Sequence, residues 1–199
     1  MIRIGPVVPA TTLAALTVFA APASAHTGVG TASGLGAGLA HPFGGPDHLL
    51  AMLAVGLMVG FRAGPALWAW PASFVGVMLF GALLGSNGVP IPAVETAILL
   101  SFVALGLLLG LRARLPLGLG ACVTGLFALF HGHAHGAEIV PGASGFAYAA
   151  GFALATAGLH VTGIGLARLA ARAPRPAAAM ERVSGAAIAA TGIVLAALG

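Results

Sequence analysis

The sequence has no lysine, one aspartate and one cysteine, and only 6% of its 199 residues are charged. A water-soluble domain carries about 25% charged residues, so this chain cannot be one. The single Cys122 excludes an intramolecular disulfide and a cysteine-based metal cluster, and within its apolar run it reads as a small core residue. The formal net charge of +4 comes from eight arginines against four acids. Those arginines flank apolar segments and form no basic face, which excludes nucleic acid as a partner. There is no G-x-S-x-G, no nucleotide-binding glycine loop and no Walker motif. The sequence therefore suggests neither an enzyme nor direct use of ATP, and implies no permanent cofactor.

What the chain has in quantity is apolar surface: 59% of residues are hydrophobic and the mean hydropathy is +1.07. The apolar runs recur at lengths near the roughly 20 residues that cross a bilayer. The expected fold is an all-α membrane protein, a polytopic helical bundle. Residues 1–25 read as a cleavable signal peptide: Arg3 is the positive start, "TTLAALTVFAA" the apolar stretch, and Ala23, Ser24 and Ala25 the small-residue cleavage site. The competing reading keeps residues 10–25 as an uncleaved helix. Cleavage leaves one transmembrane helical domain over 26–199, in a bacterial inner membrane, with His26 first and the mature N-terminus periplasmic.

Apolar segments lie at about 30–61, 67–85, 93–111, 117–140, 145–169 and 182–198, separated by "RAGP", "SNGVPIP", "RARLP", "PGAS" and "RAPRP". Counted as six crossings with the N-terminus outside, they place Arg62, Arg112, Arg114, Arg172 and Arg175 in cytoplasmic loops, with Arg168 and Arg182 on the same side. The two outer loops carry no basic residue, as the positive-inside rule requires. The first segment is too long for one straight crossing. Its 32 residues would span about 48 Å as one helix, against a hydrocarbon core of about 30 Å. Pro42 and Pro46, with Gly44 and Gly45 between them, predict a break at "HPFGGPDH" and half-helices of roughly 11 and 14 residues. That break would fall near the bilayer midplane.

Ionisable groups at such depth need partners, because an acid at a helix centre costs about 2.5 to 3.5 kcal/mol on insertion scales. His41, Asp47 and His48 flank the predicted break. Two imidazoles and a carboxylate suit nickel, cobalt, zinc or copper, so a divalent metal ion is the expected partner besides the lipid bilayer. Asp47 has a plainer reading as the N-cap of the second half-helix. The second cluster is "FHGHAHGAE", residues 130–138, where His131, His135 and Glu138 share one helix face through spacings of four and three. His133 points elsewhere and is a weaker candidate. A proton relay would use the same groups in series.

"HPFGGPDHLLAMLAVG" followed several crossings later by "FHGHAHGAE" resembles the HupE/UreJ family of bacterial membrane proteins, which is linked to nickel supply for hydrogenase or urease. The resemblance covers essentially the whole mature chain. It implies a nickel permease for metalloenzyme maturation, with His41, Asp47 and His48 as the first metal motif and His131, His135 and Glu138 as the second. It also implies a metal-accepting maturation protein as partner, and leaves a homo-oligomer open. The metal stays open too, since affinity order alone favours copper over nickel at most nitrogen and oxygen sites. The reading from a different class is a membrane metal sensor or accessory protein that binds an ion without moving it.

Weaker signals complete the reading. His26 as a terminal residue offers an amine and an imidazole for periplasmic capture, or is a solvated terminus. His160 in the fifth segment is either a ligand or a structural residue, and Glu95 is placed to favour the helix dipole. Met52 and Met58 read as packing, with thioether ligation of copper the alternative. The 31 glycines read as close helix packing, with flexibility for gating the alternative. Trp68 and Trp70 fit an interfacial belt. Two halves of three crossings, each opening with a histidine-bearing helix, would make a 3+3 inverted repeat with the site between them.

Overall fold

The computed structural model describes residues 34–62, 64–139, 144–173 and 177–198, less the side chains of residues 46, 47 and 198. The expected signal peptide, His26 and Arg175 lie outside the described residues. All regular structure among the described residues is helical. Helix α1 spans Gly34–Ala40 and runs into a 3-10 turn, His41–Phe43. Then come α2 (Pro46–Gly60), α3 (Ala66–Ser86), α4 (Val94–Gly110), α5 (Leu117–Ala137), α6 (Gly145–Arg172) and α7 (Ala177–Leu198).

Helices α3, α5, α6 and α7 are each long and apolar enough to cross a membrane. The α1 and α2 segments pass the same test only together, bent by 76° at the break. Helix α4, with 17 residues, is shorter; at 1.5 Å per residue it is about 25 Å long. The chain is thus a multi-pass helical membrane protein. Its surface is inverted relative to a soluble domain: Phe146 is 95% exposed and Trp68 75%, while His48, His131, His135, Thr156 and His160 are buried. Apolar side chains face the lipid and polar ones face inward, where they find partners.

Three pairings build the bundle: α3 on α5, α4 on α7, and the α1–α2 pair on α6. Glycine makes each of them close. A Cβ at Gly132 would strike the carbonyl oxygen of Met78, and one at Gly185 would meet the backbone of Gly110. Gly56 and Gly163 allow the same approach between α2 and α6. Small residues at such intervals let membrane helices associate through backbone contact, in agreement with the packing reading.

The ends of the bundle differ in charge. Arg62 caps α2 from within, with one guanidinium nitrogen donating to Met58 O at 2.6 Å, the other to Ala113 O, and the ring of Trp70 5.1 Å away. Arg168 donates to Arg62 O at 2.9 Å, and Arg112 pairs with Glu181 at 2.8 Å. Arg62, Arg112 and Arg168 therefore gather at one end. Glu95 stands at the other, in the first turn of α4.

Three expectations are corrected. Trp70 is fully buried, donates from Nε1 to Leu117 O at 3.0 Å and sits where Gly120 leaves room, so only Trp68 faces outward. Cys122 is exposed on the outer face of α5 instead of being a core residue. The N-cap of α2 is Gly45, in extended conformation, and Asp47 is the second residue of the helix. Pro46 takes the first helical position, where its missing N–H costs nothing, and this moves the cap one residue earlier than an Asp47 cap requires.

Candidate metal site

The break in the first segment and the end of α5 meet. His41 lies in the 3-10 turn, His48 in the first turn of α2, and His135 in the last turn of α5. One ligand nitrogen from each lies within 4.8 Å of the others. The rings of His41 and His48 are 4.5 and 4.3 Å from that of His135, centroid to centroid, so His135 stands between them. An ion held about 2.1 Å from each nitrogen needs nitrogen pairs within about 4.2 Å, so closure asks for less than about 1 Å of movement.

Glu138 caps α5, with Oε2 3.7 Å from His41 Nε2 and 3.8 Å from His135 Nδ1. A carboxylate so placed compensates a cation held by the imidazoles. His48 and His135 are buried and His41 is a quarter exposed, which leaves the cluster open on the His41 side. Tyr148 and Phe152 of α6 flank the His41 ring, 5.7 and 5.8 Å from it. Beside His135 a narrow cavity is lined by Met78, Ala82, Ile139, Tyr148 and Phe152.

His131 lies one turn deeper on α5, fully buried, with its ring 5.2 Å from His48. Its Nε2 meets Ser101 Oγ at 3.1 Å, while Ser101 Oγ is 2.6 Å from Ile98 O. A hydroxyl has one proton, and a carbonyl can only accept it. Ser101 therefore donates to Ile98 and accepts from His131, so Nε2 carries the imidazole proton and Nδ1 the lone pair. Fixing the tautomer through the far nitrogen is how metal-binding histidines are commonly oriented.

The remaining candidates separate clearly. His133 turns away and donates to Val89 O at 2.7 Å, tying α5 to the α3–α4 loop. His160 is buried beside Phe74, ring centroids 5.1 Å apart, and Phe74 in turn lies 6.1 Å from His131. Asp47 shares the first turn of α2 with His48, and its side chain lies outside the described residues. Sequence reasoning missed Ser101, Tyr148 and Phe152. Ser101 alone left a trace, as a hydroxyl in the middle of the apolar run "LLSFVAL".

A buried histidine cluster at the bend of a broken helix, inside a multi-pass helical bundle, defines a membrane protein whose interior brings together three imidazoles with the spacing of a candidate metal-ligand group. The chain belongs to the family described as HupE / UreJ protein, which matches residues 14–195. It is similar to Protein HupE of Rhizobium leguminosarum bv. viciae, with 47% identity over 186 residues, 93% of this chain and 95% of that protein. No solved structure matches.

Proposed function

We propose that the protein is a permease carrying a divalent transition-metal ion, nickel first, across the bacterial inner membrane for metalloenzyme maturation. The observation that supports it best is the approach of one ligand nitrogen each from His41, His48 and His135, in the 3-10 turn, α2 and the sequence-distant α5, to within 4.8 Å at the bent pair. Asp47, Glu138 and His131 complete the proposed ligand set. His160 stands one layer below it, and His133 belongs to the scaffold. Nickel is cargo here, with cobalt, zinc and copper as competitors for similar ligands.

The proposed topology has six crossings, with α1–α2 as one and α4 as another, and a mature periplasmic N-terminus starting at His26. The gathering of arginines at one end supports it, since basic residues stay cytoplasmic. A 3+3 inverted repeat is supported by the pairings. Exchanging the halves turns the α1–α2 pairing with α6 into that of α5 with α3, and returns the α4–α7 pairing to itself. A maturation protein on the cytoplasmic side would receive the ion.

Nickel uptake into proteoliposomes of the purified protein tests the reading. Saturable uptake in wild type that is lost in His48→Ala, with competition by cobalt, zinc or copper, is the expected result. Stoichiometric binding without uptake would overturn the permease reading in favour of a sensor or accessory protein.

A further inference from the structure

Thr124, Thr162 and Thr191 each turn the hydroxyl back onto the carbonyl four residues earlier, at 2.9, 2.8 and 3.0 Å. That is the ordinary disposal of a hydroxyl in an apolar helix. Thr156 on α6 points instead at two thioethers, 3.4 Å from Met52 Sδ and 3.7 Å from Met78 Sδ. All three residues are fully buried and come from three different helices, α6, α2 and α3.

The level of these sulfurs is one turn below the histidine cluster, because Met52 follows His48 by four residues on α2. One further turn toward the arginine end lies His160, four residues after Thr156 on the same face of α6. His160 is 1% exposed, and neither ring nitrogen has a hydrogen-bond partner among the described residues. Helical side chains lean toward their N-terminus, which on α6 is the direction of Thr156 and the sulfurs. A buried imidazole without a partner is costly unless something else engages it.

We infer that Met52 Sδ, Met78 Sδ and His160 form a second metal station, deeper than the histidine cluster and selective for soft monovalent d10 ions such as Cu(I), with Thr156 as the residue that positions the sulfurs. Thioether sulfur selects soft ions, whereas imidazole and carboxylate suit divalent nickel, so the two stations differ in hardness. Binding at the lower station stands independently of transport. Its consequence for transport rests on the permease reading: a soft ion that passes the upper station lodges in the lower one and blocks it.

The test uses Ag+ as a redox-inert d10 probe, with the purified full-length protein in nanodiscs and X-ray absorption at the silver edge; every sample, the wild-type reference included, carries Cys122→Ala, so that the exposed thiol takes no silver. The expected result is one silver ion with two sulfur neighbours and a nitrogen, in wild type and equally in His41→Ala/His48→Ala. The sulfur shell disappears in Met52→Leu/Met78→Leu, whose side chains keep nearly the same volume, and survives in Met58→Leu. Thr156→Val weakens silver binding by about 10- to 100-fold while keeping the sulfurs. No sulfur neighbours in wild type, or a sulfur shell that survives the double methionine variant or vanishes in the cluster variant, overturns the inference. The wild-type spectrum decides even if the methionine variant fails to fold. A failed permease reading appears separately, as absent nickel uptake with the silver result intact.

Discussion

Ser101 fixes the tautomer of a histidine to which no local pattern ties it: 30 residues separate it from His131. Ser101→Ala removes the acceptor for Nε2–H and lets the ring take either tautomer. Nickel affinity is then expected to fall about 10- to 100-fold with the helical content unchanged, as measured by equilibrium dialysis and circular dichroism. An unchanged affinity would exclude His131 as a ligand through Nδ1. The histidines of "HGHAH" provide a second contrast within one helix. His135→Ala should abolish stoichiometric nickel binding, and His133→Ala should retain it, because His133 serves the Val89 carbonyl. The spacing of four and three already separated these two in the sequence, since a helix puts His131 and His135 on one side and His133 on another. Ser101 and Tyr148 were not legible because their roles depend on which helices pack together, and nothing local in "LLSFVAL" or "GFAYAAG" specifies that. Trp70 misled for the same reason: an aromatic near a predicted helix start looks interfacial until Gly120 of a distant helix opens a slot for it.

Helix limits were legible to within about three residues for most segments, the expected 67–85 and 117–140 against Ala66–Ser86 and Leu117–Ala137, because an apolar run bounded by glycine, proline and arginine reports its own limits; the last helix, expected over 182–198, starts earlier, at Ala177, because Glu181 and Arg182 lie inside it. The pairing of the helices was not, since small residues mark a contact face without naming its partner. Gly132→Ala, which drives a methyl into the Met78 carbonyl, should cost about 1 to 3 kcal/mol or disrupt the α3–α5 pair. Gly158→Ala faces open space and should instead stabilise α6 by about 0.5 to 1 kcal/mol. Thermal unfolding of both variants in the same detergent checks the opposite signs. Arg112 carries a different tension. It holds φ +57 just past the end of α4, where its N–H bonds Leu109 O and that of Ala113 bonds Leu108 O, the pattern usually completed by glycine. Arg112→Gly would relieve about 1 kcal/mol of backbone strain. It would also leave the buried Glu181 carboxylate without its 2.8 Å partner, a loss of about 3 kcal/mol at the low end for a pair of which Arg112 is a third exposed. The net expectation is destabilisation, readable as a lower unfolding temperature at neutral pH.

At the scale of the whole molecule the prediction concerns sidedness. Cys122 is the only cysteine, so a Cys122→Ala background accepts single reporters. Asn87→Cys, on the loop after α3, should react with a membrane-impermeant maleimide in intact spheroplasts. Pro65→Cys, at the arginine end, should react only after permeabilisation. The reverse pattern would invert the proposed orientation and the direction in which the histidine cluster opens. The proposed orientation rests on the arginines of the sequence, and the break was legible in "HPFGGPDH"; a shared site for the two motifs was expected from the sequence, while the particular trio His41, His48 and His135 required the fold.

The bend at Gly44 and Gly45 has one more effect, electrical in kind. It places the N-terminus of α2, with Gly45 at the N-cap, beside the imidazoles of His41 and His48. The exposed N–H groups there amount to about half a positive charge, and the C-terminus of α5 at His135 supplies about half a negative one. A cation in the cluster is pushed from one side and drawn from the other, with Glu138 tipping the balance toward retention. On the proposed permease reading, such opposed fields shorten dwell time without closing the door to capture, and turnover, more than tightness, is what conduction requires.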